Sequence, residues 1–255
     1  MRSIWNGTIA FGLVNIPIKL YSAINSSNLD LDMLDSRDHS HIRYQRINEK
    51  TRKEVPYEKI VKGYQLKDTY IILEEQDFED ASPDKTKTIA IQNFVKASEI
   101  NPMLFETSYY AEAGKQGQKA YALLLNALKK TKMAGVGQFV LRQRENLCVI
   151  YPLDDVIVVS RIRFAHEIRN ASEVNTPDKV SIPKRELDVA LALIKQYTAD
   201  FDISKYKDSY NNELLKIIKA KAKGKRPTIK KLKPKKAKSD DLYDQLMESL
   251  NKKGA

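Results

Sequence analysis

Up to Ile162 short segments in which apolar and polar residues alternate with a period near two recur along this chain, and from Pro183 onward the spacing is helical. Ile4, Ile9, Phe11, Val14, Ile16, Ile18 and Leu20 recur in an opening block broken by Gly7, Gly12 and Pro17. The pattern predicts two β-strands within residues 1–24, joined by a tight reversal at Gly12–Pro17, where glycine supplies positive φ and proline fixes its own. A polar loop spans 25–40. In His41–Ile47, Ile42 and Tyr44 interleave with Arg43 and Gln45, predicting a strand with one charged face. The turn NEKTRK and a returning segment at Glu54–Pro56 follow. Tyr70–Leu73, Thr88–Val95, Leu104–Ala111, Val136–Leu141, Leu147–Tyr151 and Val156–Ile162 predict further strands, with a helical turn in EEQDFED after the first. Ala120, Leu123, Leu124, Ala127 and Leu128 change the period and predict an amphipathic helix over Gly117–Lys130. Short strands around one helix predict a β-barrel or closed sheet.

The helical half holds two stripes. Leu187, Ala190, Leu191, Ile194 and Tyr197 form the first, with Ser181 as the expected cap; Tyr206, Tyr210, Leu214, Ile217 and Ile218 form the second. Gly224 and Pro227 end the periodicity, Pro234 marks another break, and a short helix restarts at Ser239. Leu242, Leu246 and Leu250 stand four apart there, Met247 widens the stripe, and Ser239 is the expected cap. The predicted class is α+β: a β-barrel core with inserted helices (1–180), a helical carboxy-terminal arm (181–223), a disordered Lys-rich linker (224–238) and an amphipathic helix (239–255).

Composition changes this picture in two places. The formal net charge is +11, but Lys216–Lys238 holds eleven Lys, one Arg and no acid. Without those twelve, 32 of the 44 basic residues remain against 33 acidic ones, so the positive charge belongs to the tail. Such a run serves polyanion binding, and its excess of Lys over Arg suits point-charge attraction rather than bidentate guanine recognition. The single cysteine, Cys148, excludes an internal disulfide and fits a reducing cytosol; within Leu147–Tyr151 it reads as a small core residue. No apolar stretch reaches the length of a membrane span, and no secretory leader is expected.

Signals for catalysis are poor. Gly114-Lys115 continues into Gln116 rather than a phosphate-loop Ser or Thr, and Gly135-Val-Gly137 opens a strand, so a bulge or tight packing point is expected. His39 and His41 near Asp35 and Asp38, and the pair Asp30 and Asp32, read as solvated loop residues rather than metal ligands. No cofactor is expected. A nuclease or phosphotransfer site around Asp30, Asp32 and His41 stands as a distant alternative, and an architectural nucleic-acid binder without end specificity as a nearer one.

Basic residues interleaved with aromatics are the better signal. Arg43, Arg46, Lys50, Arg52 and Lys53 cluster with Tyr44 and Tyr57, and Arg142 and Arg144 crown a second hairpin. The opening RSIWNGTIAFGLVNIPIKLYSA closely resembles the amino-terminal signature of the bacterial Ku family, DNA-end-binding proteins of non-homologous end joining. HIRYQR, EVPYEKIVKGY, KAYALLLNALKK, FVLRQREN and RFAHEIRNAS resemble later Ku core segments in order, and ELDVALALIKQYTADFDISKYKDSY resembles the family's helical arm. The resemblance implies a homodimeric ring on double-stranded DNA ends, without membrane association, that recruits an ATP-dependent DNA ligase, in a cytoplasmic, nucleoid-associated setting. It implies a DNA-encircling bridge at HIRYQRINEKTRK and a lumen hairpin at FVLRQREN. The expected DNA-binding residues are Arg43, Arg46, Lys50, Arg52, Lys53, Arg142 and Arg144, with Lys221, Lys223, Lys225, Arg226, Lys230, Lys231, Lys233, Lys235, Lys236 and Lys238 of the tail. Leu242, Leu246, Met247 and Leu250 are expected to bind the partner.

Overall fold

The computed structural model describes residues 1–25, 27–81, 87–142, 144–177, 180–225 and 241–251. Among these described residues there are nine strands: β1 (Trp5–Phe11), β2 (Val14–Ser22), β3 (Lys62–Leu66), β4 (Thr69–Leu73), β5 (Thr88–Lys96), β6 (Phe105–Ala113), β7 (Met133–Leu141), β8 (Arg144–Leu153) and β9 (Val156–Ile162). Five α-helices accompany them: α1 (Glu75–Asp80), α2 (Gln118–Thr131), α3 (Lys184–Tyr197), α4 (Ser209–Lys221) and α5 (Leu242–Asn251). Two compact units result, Met1–Ser27 with Leu31–Ala171, and Asn28–Asp30 with Ser172–Ala255.

In the first unit seven strands close a barrel in the order β1-β2-β6-β9-β8-β7-β5. All neighbours are antiparallel except β1 and β5, which join in parallel through Thr8↔Thr88, Ile9↔Ile89 and Ala10↔Ala90. Alternation in β2 sends Ile16, Ile18 and Leu20 inward, where they pack with Ile9, Ile89, Phe139, Ile150 and Val159. β8 is buried on both faces, because a second cluster of Ala134, Val149 and Ile162 lies beneath Leu104, Phe105 and Tyr151. Gly137 of β7 faces a register shift in β5 between Ile91 and Asn93; a Cβ there would come within 2.4 Å of the Ala90 carbonyl oxygen.

The opening hairpin turns earlier than its sequence suggests. Gly12, at φ +56°, and Leu13 make the reversal, and Pro17 lies inside β2, paired with Thr8. Its missing N–H falls where the ladder to β6 has ended, and its carbonyl accepts a hydrogen bond from Gly114 N at 2.8 Å. The expected strand at His41–Ile47 is also absent. Only isolated bridges, Leu34↔His41 and Ile47↔Glu54, hold that segment, because no neighbouring strand covers its apolar face. β3, which the sequence did not single out, pairs with β4 in a separate two-stranded ribbon.

Helix α2 packs Leu124, Leu125 and Leu128 onto the barrel and leaves Leu123, expected inside, exposed. Tyr121 pins it there: its hydroxyl donates to the Ala111 carbonyl of β6 and accepts from Ile157 N of β9, both at 2.7 Å. In the second unit α3 starts after Pro183 without a side-chain cap, so Ser181 does not serve as one. Asp208 caps α4 through Asn211 N, and α5 lies against α3. Among the described residues no helix is long and apolar enough to cross a membrane.

Candidate nucleic-acid interface

From Leu31 to Asp80, fifty consecutive described residues, nothing is buried. Asp35, Val55, Leu73 and Phe78 alone are partly covered. Two small clasps shape the first half. In one, Asp35 N donates to Ser40 O and Ile42 N to Met33 O; in the other, Asn48 N donates to Lys53 O and Val55 N to Arg46 O. Asn48 Oδ1 accepts from the backbone N–H of Lys50 and Thr51, tying the second turn and presenting Lys50, Arg52 and Lys53 at its tip. Arg43 and Arg46 lie on the approach, and the Arg46 guanidinium stands 5.2 Å over the Tyr57 ring. Tyr44, Tyr57, Tyr64 and Tyr70 are all more than 60% exposed, so cations and aromatic faces share this surface. The sequence pointed to Tyr44 and Tyr57; Tyr64 and Tyr70, on the β3–β4 ribbon, extend the set.

The second group gathers in a cleft of about 610 Å³ lined from β6, β7, β8 and β9, with Ile4 just before β1 and Ser22 at the end of β2. Arg142, at φ +53°, and Arg144 line it from the β7–β8 turn, together as expected. Arg161 joins them from β9, paired with the Glu106 carboxylate at 2.7 Å. The sequence did not single out Arg161, whose signal is a polar Ser-Arg pair inside the apolar run Val156–Ile162. Asn146, 9% exposed, lies in the same wall and donates to Arg144 O at 2.7 Å, which holds the turn carrying both arginines.

Lys221 ends α4, with Lys223 and Lys225 just beyond it, all exposed. Arg226, Lys230, Lys231, Lys233, Lys235, Lys236 and Lys238 lie outside the described residues, as does Ser239. Asp241 caps α5 instead, its carboxylate accepting from Asp244 N at 3.1 Å. Leu246, Met247 and Leu250 of α5 are half-buried, whereas Leu242 is 58% exposed.

Chemistry of other kinds finds little support in the geometry. The Asp35 carboxylate is engaged by the Arg37 guanidinium, which holds it below the usual carboxylate range, and Asp38 accepts from Ser40 N. Among the described residues no three His, Cys, Asp or Glu side chains gather in a group able to hold a metal. Cys148 is buried in β8, and burial pushes its thiol up to about 12, the opposite of nucleophile activation.

A family model described as the Ku70/Ku80 beta-barrel domain matches residues 10–189. The chain belongs to the Ku family. Three relatives, each called a non-homologous end joining protein Ku, illustrate the kinship. The one from Opitutus terrae is 39% identical over all of this chain and 93% of its own length. That from Coxiella burnetii is 36% identical over 90% of this chain and 86% of its own, and that from Bacillus subtilis 34% identical over 90% and 75%. The Ku match takes in most of the barrel from Ala10 onward, the exposed segment with Arg43 to Lys53, and the cleft arginines Arg142, Arg144 and Arg161. It ends inside α3, so α4, the Lys-rich run and α5 lie beyond the Ku barrel domain proper.

Proposed function

We propose that this chain forms a homodimeric ring that binds double-stranded DNA ends without sequence preference and recruits an ATP-dependent DNA ligase for end joining. The observation that carries this reading is the run from Leu31 to Asp80. Fifty residues with no buried member, lysines and arginines at a tied turn and four exposed tyrosines need a surface to lie against. A two-stranded ribbon is marginal in water, and β3–β4 buries neither face. A duplex supplies both a surface and the opposite charge. Relatives named as end-joining Ku proteins over most of their length support the same assignment.

The basic groups fit a task blind to sequence. In the barrel unit they sit on a tied loop, a hairpin turn and, for Arg161, a strand rather than on a recognition helix, an arrangement suited to phosphate rather than base edges. A homodimer is supported by apolar surface left open in each unit. Leu187, Leu191 and Ile194 of α3 are about half exposed or more, and a groove of about 410 Å³ between α2 and the barrel is lined by Phe11, Phe94, Leu123 and Met133. For ligase recruitment the support is α5, an amphipathic helix set beyond the Lys-rich run.

Gel shifts with linear duplex, covalently closed circle and hairpin-blocked linear DNA of equal length test the ring. Linear duplex should bind far more tightly than the circle. Equal affinity would replace the ring with the simpler architectural binder, in which the charge of the tail acts alone.

A further inference from the structure

Helix α3 has two apolar faces, and they fare differently. Leu187, Leu191 and Ile194 stand open, whereas Val189, Ala190 and Leu193 are half-covered and share one side at three- and four-residue spacing. Helix α5 lies against α3 with Leu246, Met247 and Leu250 half-buried, and the Arg185 guanidinium of α3 sits 5.1 Å over the Tyr243 ring. No residue of either helix is fully buried, so the packing is shallow. Helices of ten and fourteen residues are marginal alone, and each gains from the other.

We infer that the Val189–Leu193 face of α3, with Arg185 at its edge, is a receptor site for the chain's own α5, and that docking there withholds α5 from a partner. The inference rests on the reading of α5 as the recruiting helix. The apolar side that a hydrophobic groove on a ligase would take, Leu246, Met247 and Leu250, is half-covered in the docked arrangement. Leu242, still exposed, is left as the first point of engagement for an incoming partner. Attachment in one chain supplies a high effective concentration, which keeps a shallow pairing formed without making it permanent. A partner must then compete with α3, and its apparent affinity falls by the undocked fraction of α5.

Hydrogen exchange on the full-length chain, read by mass spectrometry, tests the docking, and stimulation of the host's ATP-dependent ligase on linear DNA tests its consequence. In the unaltered chain the amides of 242–251 should exchange more slowly than in a synthetic 241–251 peptide. Leu193→Asp should bring them to the peptide's rate and lower the ligase concentration for half-maximal joining by roughly tenfold, as release from a roughly 90% docked state requires. Arg185→Glu, an exposed change in the first turn of α3, should act in the same direction and more weakly, and it covers the case where Leu193→Asp disturbs the arm. Leu246→Asp should abolish both protection and stimulation. Peptide-like exchange in the unaltered chain would overturn the docking. Release of α5 by either α3 variant without a lower ligase requirement would overturn the withholding while leaving the recruiting role in place. Normal stimulation by Leu246→Asp would remove the recruiting role itself, and the latch with it.

Discussion

Cys148 pairs with Gly137 across the β7–β8 ladder, fully enclosed, and its thiol is pushed up to about 12 from 9.0. The folded chain therefore keeps this proton over a range of pH in which the unfolded chain gives it up. Stability from this group is whole below about pH 9 and declines as pH rises toward 12, with a slope approaching about 1.4 kcal/mol per pH unit. Denaturant melts between about pH 8 and 11, a window bracketing the ordinary thiol range, should show Cys148→Ala losing less stability on alkalinisation than the native chain. Parallel slopes would contradict the burial. The alternating run Leu147–Tyr151 already marked Cys148 as a core residue. It did not reveal that Val149, its neighbour on the other face, is equally enclosed, because the second cluster is assembled from residues as distant as Leu104 and Ile162. Arg161 was hidden for a related reason: only the register of β8 and β9 brings it beside Arg142 and Arg144.

Among the elements, a buried face made the barrel strands and α2 legible, while β4, α1, α3 and α4 were legible from local pattern alone, although none of them buries a residue. β5 to β9 and α2 stand within a few residues of where periodicity put them, since one side of each meets the core. His41–Ile47 alternates as cleanly yet forms no strand, because alternation records a capacity to bury a face and nothing there takes up the offer. Its basic side chains still converge, since the Asn48 turn gathers Lys50, Arg52 and Lys53 by local hydrogen bonds. At this scale the tail and the barrel cleft should separate in titrations. Deleting Lys225–Lys238, which carries eight cations, should weaken DNA binding and flatten its salt dependence while linear duplex stays preferred over circles. The log–log slope should fall by about 0.9 for each phosphate that the shortened chain leaves un-neutralised. An unchanged slope in gel shifts across about 50–200 mM salt, where counterion release dominates, would detach the tail from DNA binding.

For the molecule as a whole, apolar surface on α3 and along α2 predicts association. Light scattering at micromolar concentration should give twice the 29.2 kDa chain mass, and truncation before Ser181 should cause aggregation. A monomeric mass would contradict the ring. The sequence signalled a closed sheet but not how it closes, since no local pattern specifies a parallel pairing between strands far apart. That seam governs how the chain is made. β1 leaves the ribosome first, yet its partner in β5 follows about 80 residues later, after the whole exposed excursion has emerged. At roughly 5–20 residues per second the delay is on the order of 4–16 s, during which the edge of Trp5–Phe11 is a bare row of hydrogen-bonding groups. Every nascent copy passes through this interval, so the first hairpin is expected to be the segment of the growing chain most open to chaperone binding and to edge-to-edge aggregation.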